Sequence, residues 1–342
     1  MHAAPALRDA AVVVTGASSG IGRVTATEFA RHGARVVLAA RSADALEEVA
    51  RECRRRGGEA QVVVTDVTDE RAVEALADRA VGRFGRIDVW VNAAGVGILG
   101  RVDQVPGPEL RRLLDVNVLG VVHGARAALA VMRRQGHGVL IDVASALGGR
   151  ITAPYMSGYA MSKAAVVAFD EVLHEELALL GERHVLVRTV LPGGVDTPFF
   201  RRAADLSGRG LRSLPPVATP ERVARAIVRT ARRPGRRVVL VGPYARPLAV
   251  GRRLAPGLVR RAVARRTDGS YLADGAEAGP ATSGVLWAPS GRSAAAHGGR
   301  HGGLRTAARR AAGTAALLAA SRAVLPRRRR TGRLRVEHAP QG

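Results

Sequence analysis

Among the 53 basic side chains of this 342-residue chain, one alone is lysine: Lys163. A composition that uses arginine for every generic positive charge reserves its lysine for a place where a compact ammonium is needed and a planar guanidinium does not fit. Lys163 stands four residues after Tyr159, so on a helix the two side chains share a face. A free phenol titrates near pH 10, too high for efficient proton transfer at neutral pH. A neighbouring ammonium favours the phenolate and lowers that value, toward the range where general acid–base catalysis works best. The pair is therefore a candidate device for moving a proton to or from an oxygen. Asparagine is as scarce as lysine: Asn92 and Asn117 are the two in the chain.

A second signal lies near the N-terminus. Thr15-Gly16-Ala17-Ser18-Ser19-Gly20-Ile21-Gly22 follows an apolar run and opens a helical stretch. Glycines let the backbone approach a pyrophosphate, and the helix N-terminus offers free N–H groups at the positive end of its dipole. The loop reads as a dinucleotide site through Gly16, Ser18, Ser19, Gly20, Ile21 and Gly22. An NAD site usually carries an acid about 20 residues after the loop, for the ribose 2′-OH. Here the second apolar run ends Ala39-Ala40-Arg41-Ser42. Arg41 stands where a 2′-phosphate would lie, and Arg23 is placed to assist; a guanidinium suits a phosphate. NADP(H) is expected rather than NAD(H). The alternative is that both are ordinary surface arginines.

These residues must be held by larger elements. The spacing predicts strands at Ala11–Thr15, Arg35–Ala40, Ala60–Thr65, Ile87–Asn92, Gly138–Val143, Val185–Val190 and Arg237–Val241. Helices are predicted at Ile21–His32, Ala43–Arg56, Asp69–Phe84, Glu109–Arg134, Ser157–Leu180 and Pro220–Arg233. Strands this apolar are covered on both faces. Strand–helix alternation with short connections predicts an α/β fold with a doubly wound, parallel, seven-stranded sheet. In such sheets a ligand sits beyond the carboxyl ends of the strands, where the polar signals fall. Apolar residues make up 47% and aromatics 3%, so the core is built from Ala, Val and Leu.

Charge divides the chain. Residues 1–200 hold 23 basic and 23 acidic residues, whereas 201–342 hold 30 and 6. A neutral domain over residues 1–245 is expected, followed by a basic Arg/Ala/Gly-rich extension over 246–342. Within the extension, Leu248–Arg265 reads as a basic amphipathic helix, Thr267–Arg305 as loop or disorder, Leu304–Leu325 as helix and Arg327–Arg330 as a charge run. The one cysteine, Cys53, excludes an internal disulfide. No secretion signal or run of about 18 apolar residues is read, so a cytoplasmic location is expected. His123, His137 and His184 lack ligand spacing, and no metal site is expected.

In order along the chain, Thr15–Gly22, Asp66 past the third strand, Asn92-Ala93-Ala94-Gly95 past the fourth, Asn117, Ser145, Tyr159-Ala-Met-Ser-Lys163 and Pro192-Gly-Gly-Val195-Asp-Thr197 resemble the motif set of the short-chain dehydrogenase/reductase family, across about residues 8–245. The resemblance implies a Rossmann fold and an oxidoreductase that moves a hydride between a nicotinamide and a carbonyl or alcohol carbon. Tyr159 would be the acid/base, Lys163 would also bind the nicotinamide ribose, and Ser145 would hold the substrate oxygen. Asn117 would support a water-linked proton path to the lysine; otherwise it is a solvent-facing helical residue. Asp66 with Val67 would contact the adenine, unless Asp66 is a plain cap or turn residue. Asn92, Ala93 and Gly95 would flank the cofactor, Asn92 by tying strand ends together. Pro192, Val195 and Thr197 would lie on the nicotinamide side. Ser145 and Tyr159 are one position farther apart than is usual in the family, which an extra glycine in Gly148-Gly149 explains; Ser157, expected to cap the helix, is the alternative serine.

The loops that would shape the substrate site, Val96–Leu99, Leu147, Ile151–Met156 and Phe199-Phe200, are mostly apolar. A hydrophobic ketone, aldehyde or secondary alcohol is the expected substrate, and the resemblance implies a homo-oligomer. The extension has three readings: a solvated tail, peripheral contact with anionic membrane through apolar and Arg-rich faces, and nucleic acid contact. Nucleic acid is the least favoured, because no such module and few aromatics are present. A non-catalytic sensor or scaffold docking through that tail is the alternative to an enzyme.

Overall fold

The computed structural model describes residues 7–208, 217–233, 235–243, 245–272, 280–289 and 295–299. In chain order the elements are β1 (Ala11–Thr15), α1 (Gly20–Arg31), β2 (Arg35–Ala40), α2 (Ala43–Arg55), β3 (Glu59–Val64), α3 (Glu70–Phe84), β4 (Val89–Asn92) and β5 (Ile98–Leu99). Then come α4 (Gly107–Leu114), a π-helical turn (Asp115–Leu119), α5 (Gly120–Gln135), β6 (Gly138–Val143), the short turn α6 (Ala146–Gly149), α7 (Ser157–Leu179) and β7 (Val185–Pro192). The chain continues with α8 (Phe199–Arg202), β8 (Ala204–Asp205), α9 (Pro220–Arg232), β9 (Val238–Val241), α10 (Ala245–Leu254) and α11 (Pro256–Leu272).

Seven strands pair in the order β3-β2-β1-β4-β6-β7-β9, all parallel. The central strands β1, β2, β4 and β6 are buried on both faces over most of their length, and the pleat sends alternate residues to opposite layers. Val12 and Val14 join Phe29, Leu46, Val49, Val223 and Ile227 beneath α1, α2 and α9. Val13 joins Val73, Leu76, Ala128, Met132, Leu173 and Leu177 beneath α3, α5 and α7. The sheet is therefore a doubly wound α/β sheet, as the strand–helix alternation predicts. β1 has β2 on one side and β4 on the other, so the chain changes direction across the sheet there and opens a crevice at the strands' carboxyl ends.

Several boundaries differ from the sequence reading. The long fourth helix is interrupted by the π turn at Asp115–Leu119. Its whole span, Gly107–Gln135, has the length and apolarity of a membrane-crossing segment, yet half of the apolar window is packed inside the domain. The amphipathic stretch expected at Leu248–Arg265 is two helices, α10 and α11, parted at Ala255-Pro256, where proline lacks the N–H that would continue the first helix. Ser157 does not cap α7; Met156 holds the cap position and Ser157 is the first helical residue.

The largest difference lies in 267–305, expected to be loop or disorder. Thr267–Leu272 is helical, and residues 280–289 and 295–299 form a strap packed on the domain. Thr282 bridges Asp205 antiparallel, and Leu286 is 1% exposed. The compact unit runs to Arg300, so the expected boundary at 245 falls inside it. The readings at Leu304–Leu325 and Arg327–Arg330 lie outside the described residues.

Candidate active site

A cleft opens at the carboxyl ends of β1, β2 and β4, lined by Gly16, Ser18, Ser19, Gly20, Ile21 and Gly22 on one side. The loop turns this tightly because a Cβ on Gly22 would stand 2.3 Å from the Gly16 carbonyl oxygen. Ala93 and Gly95 form the wall from β4, Asp66 and Val67 the wall from β3, and Thr197 the wall from the segment after β7. Across the glycine loop from Thr197, a Cβ on Gly20 would stand 3.4 Å from the Thr197 Cβ.

Behind the Gly95 and Phe199 wall, at the inner end of the site, α7 brings Tyr159 and Lys163 onto one face, with the Lys163 Nζ 5.9 Å from the centre of the Tyr159 ring. Lys163 is buried and donates to the Val143 carbonyl at 3.0 Å. Burial pushes its ammonium down to about 8, offset in part by Asp142 and Asp170. Tyr159 moves the other way from the sequence expectation: burial raises its phenol to about 12, opposed by a hydrogen bond with Ser145. Desolvation is the larger influence on that phenol. At neutral pH the phenol is thus a protonated acid. Ser145 also accepts from the Leu147 N–H at 3.1 Å, which orients its hydroxyl. Between Ser145 and Tyr159, Gly148 of α6 has a φ of +88°, and a Cβ there would stand 2.2 Å from the Ala160 carbonyl oxygen.

Asn117 sits in the π turn, whose extra residue turns its amide inward. Its Oδ1 accepts from the Val96 N–H at 2.9 Å, and its Nδ2 donates to the Val96 carbonyl and to Ser162 Oγ, both at 3.0 Å. Asn117 is fully buried, so it is not a solvent-facing helical residue. A Cβ on Gly95 would lie 3.4 Å from the Asn117 Oδ1 and 3.7 Å from the Lys163 Nζ, which brings Asn117, Lys163 and the cleft wall together. On the far side, Phe199 tilts against Tyr159 with ring centres 5.1 Å apart, and Phe200 meets Phe199 edge-on. Leu99, Leu147, Tyr155 and Met156 join them in one apolar cluster. The Tyr155 hydroxyl donates to Asp268 of α11.

The outer end is built differently. Arg41 lines the cleft, but its guanidinium donates to the Val285 carbonyl at 2.6 Å and the Trp287 carbonyl at 3.0 Å, both in the strap. Arg112 pairs with Asp66 at 2.8 Å, donates to the Leu286 carbonyl and lies 5.8 Å from the centre of the Trp287 ring. Asp66 also accepts from the Thr68 N–H and hydroxyl. Although burial opposes it, these donors and Arg112 hold its carboxyl below the usual carboxylate range. Asp66 is therefore a turn residue as well as a cleft residue; the helix cap is Asp69, which accepts from Ala72 N–H. The Gly20 N–H, at the start of α1, donates to the Ala295 carbonyl at 3.2 Å.

Two expectations are corrected. Arg23 is engaged by Glu48 and Glu52 at 2.8 and 3.0 Å and does not face the cleft. Asn92 is buried off the cleft, receiving Trp90 Nε1–H and donating to Asp142 and the Val121 carbonyl; it ties strand to strand through side chains. Pro192 and Val195 are buried, Pro192 beside Val241 of β9 and Val195 bridged to Ala218, on the segment that leads to Thr197 in the cleft wall. The sequence reading missed the strap, Arg112 and Asp268, for which no local pattern exists. It also missed Asp142 and Asp170, which did leave a signal. Asp142 interrupts an apolar strand, and Asp170 lies seven residues from Lys163, two turns along the same helix face.

A family model for short chain dehydrogenases matches residues 10–206. An uncharacterized oxidoreductase of Bacillus subtilis, YxnA, is 38% identical over 259 residues, which cover 75% of this chain and 71% of that one. Among solved structures, an alcohol dehydrogenase from the archaeon Thermococcus sibiricus, complexed with 5-hydroxy-NADP, is 30% identical with a TM-score of 0.59, covering 68% of this chain and 95% of that one. A short chain dehydrogenase/reductase from Burkholderia phymatum in complex with NAD is 28% identical with a TM-score of 0.65, covering 75% and 97%. A glycine loop at the head of α1, and Tyr159, Lys163 and Asn117 gathered behind the Gly95 and Phe199 wall of the cleft with Ser145 beside Tyr159, agree with these likenesses: the chain belongs to the short-chain dehydrogenase/reductase family of nicotinamide-dependent oxidoreductases.

Proposed function

We propose that this chain is an NADP(H)-dependent enzyme that interconverts a hydrophobic ketone or aldehyde and its alcohol, with Tyr159 as the general acid/base. The observation that carries the reading is the placing of a half-buried Tyr159 beside the buried ammonium of Lys163 on one face of α7, with Ser145 acting on the phenol. A nicotinamide dinucleotide, when bound, supplies or accepts the hydride. The residues that fit it are the glycine loop, whose tight turn leaves the α1 N-terminus facing the cleft, and Arg41, Asp66, Val67, Ala93, Gly95 and Thr197.

The chain's own residues do the rest. Ser145 orients an oxygen of the substrate toward the phenol. Tyr159 donates its proton to that oxygen in reduction and recovers it in oxidation. Lys163 stabilises the phenolate left behind, because an ammonium in a desolvated site acts far more strongly than in water. Asn117 holds the Val96 backbone beside Lys163. The cluster of Leu99, Leu147, Met156, Phe199 and Phe200 favours an apolar substrate.

NADP(H) is proposed over NAD(H) because β2 ends in Arg41 with no acid beside it, and Arg112 brings a second guanidinium to the outer end. Exposed Leu119, Met161 and Val172 around α5 and α7 support a homo-oligomer through those helices. Val250, Leu254 and Leu258 are exposed on α10 and α11 among Arg252, Arg253, Arg260 and Arg261. That mixture supports peripheral contact of a cytoplasmic enzyme with anionic lipid. Sedimentation with phosphatidylserine vesicles checks it: Leu254→Glu with Leu258→Glu releases the protein, and unchanged pelleting removes this face from the reading.

The test of the main reading follows NADPH absorbance against apolar aldehydes and ketones, with NADH in parallel and Tyr159→Phe as control. Faster loss of NADPH that vanishes in the variant supports it. Equal turnover by Tyr159→Phe overturns the acid/base assignment, and preference for NADH overturns the Arg41 assignment alone.

A further inference from the structure

Behind Lys163 lies a pair of acids that the catalytic reading does not use. Asp142 of β6 is 0% exposed and Asp170 of α7 is 3% exposed. Asp142 Oδ1 accepts from Asn92 Nδ2 at 2.8 Å, and Asp170 Oδ2 accepts from Thr189 Oγ1 at 2.6 Å. The two remaining oxygens, Asp142 Oδ2 and Asp170 Oδ1, are buried with no donor, and the carboxyls are neighbours: Asp142 stands opposite Thr189 in the β6–β7 register, and Thr189 holds Asp170. Two ionised oxygens so placed repel each other, and each leaves an acceptor unsatisfied, a costly state in an apolar interior. One proton between them satisfies both.

Charge balance leads to the same count. Among the described residues, the charged side chain acting on both acids is Lys163. Asn92 and Trp90 of β4 and Thr189 of β7, which face the pair, are neutral. Two carboxylates and one ammonium would bury a net negative charge, whereas adding one proton makes the cluster neutral, the state a low-dielectric interior tolerates. Burial raises both carboxyls, Asp170 further because the Asp142 charge and hydrogen bond add to it.

We propose that Asp142 and Asp170 share one proton and act as a singly charged positioning pair that keeps Lys163 an ammonium in its buried site. Nothing in the pair touches substrate; it acts through Lys163, and so rests on the proposed role of that residue. The pair resolves a conflict in the site. Burial alone drives Lys163 toward the neutral amine, which cannot stabilise a phenolate. A negative charge next to it opposes that drift.

Two measurements test the proposal. The first is infrared spectroscopy of the whole protein at neutral pH in H2O and D2O. The wild type shows a protonated-carboxyl carbonyl stretch that shifts on deuteration and is missing from Asp170→Asn. Absence of such a band in the wild type overturns the proposal whether or not any variant folds or any substrate is known. The second is the pH–rate profile. Asp170→Asn puts an amide donor where the shared proton lies and keeps one charge, so its alkaline limb stays with the wild type. The double variant Asp142→Asn/Asp170→Asn removes the charge, and its limb moves down by roughly one to three pH units. Equal shifts in the single and double variants overturn the shared proton. Wild-type turnover independent of Tyr159 would instead break the parent reading and leave the infrared result to decide the pair.

Discussion

The two ends of the cleft are closed by different parts of the chain. The inner end is closed from within residues 90–190, by side chains on β4, β6, α7 and the π turn that hold one another in a buried hydrogen-bonded network. The outer end is closed by the strap, whose backbone carbonyls occupy Arg41 and the Gly20 N–H. Buried networks are rigid because every broken bond leaves an unsatisfied group. A half-exposed guanidinium on carbonyls can trade them for another acceptor at small cost. The inner end is thus preorganised for one chemistry. The outer end is exchangeable: an anion that binds Arg41 displaces two neutral acceptors in favour of a charged one, a stronger hydrogen bond.

Substitutions can break this contrast or sharpen it. The largest expected effect is at the inner end: Tyr159→Phe loses roughly 10²–10⁴-fold in turnover, while its affinity for NADPH, read by fluorescence, stays within a few-fold. Loss of binding instead would mean that the two ends are not separable. At the outer end, Arg41→Ser weakens NADPH roughly tenfold or more, as expected for a charged hydrogen-bonding partner of phosphate, and leaves NADH and kcat nearly untouched. A variant that binds both cofactors as the wild type does would sink the 2′-phosphate assignment.

Acidity comes next. The Lys163 ammonium, held near 8 rather than its ordinary 10.5, is complete below that value and lost above it. The rate of carbonyl reduction therefore holds from pH 6 to 7 and falls through about 8. A flat profile to pH 10 would show that the charge of Lys163 is not required. The smallest effect is expected from the strap. Gly284 has a φ of +52°, and a Cβ there would stand 2.2 Å from the Arg202 carbonyl oxygen. Gly284→Val loosens the strap, frees Arg41 and tightens NADPH a few-fold, and emission from the half-exposed Trp287 reports the release. Weaker NADPH binding by that variant would show the strap to be a wall of the site rather than a competitor for it.

The inner end was the more legible of the two in the sequence, and for a physical reason. Tyr159 and Lys163 meet through helix periodicity, which four positions are enough to specify. The glycine loop follows directly on β1, and the apolar runs alternate with helices over short connections, so strand, turn and helix are local facts. Asn117 was legible as a residue but not as a geometry: its inward amide depends on a π turn, one residue out of step with the periodicity that predicts a plain helix. Asn92 was likewise recognised, but with the wrong partner. Its acceptor, Asp142, lies 50 residues away on the neighbouring strand.

The sequence by itself determined the sheet, the glycine turn, the Tyr159–Lys163 face and the division of charge between the two parts of the chain, because each is written in spacings of a few residues or in composition. Tertiary structure alone decided three things. Burial raises the Tyr159 phenol above its free value. Two acids meet behind Lys163. A segment without periodicity lies across the outer end, where Arg41 reaches a carbonyl 244 residues away. Each depends on groups that only folding brings together and on the removal of water around them. Periodicity carries no record of either.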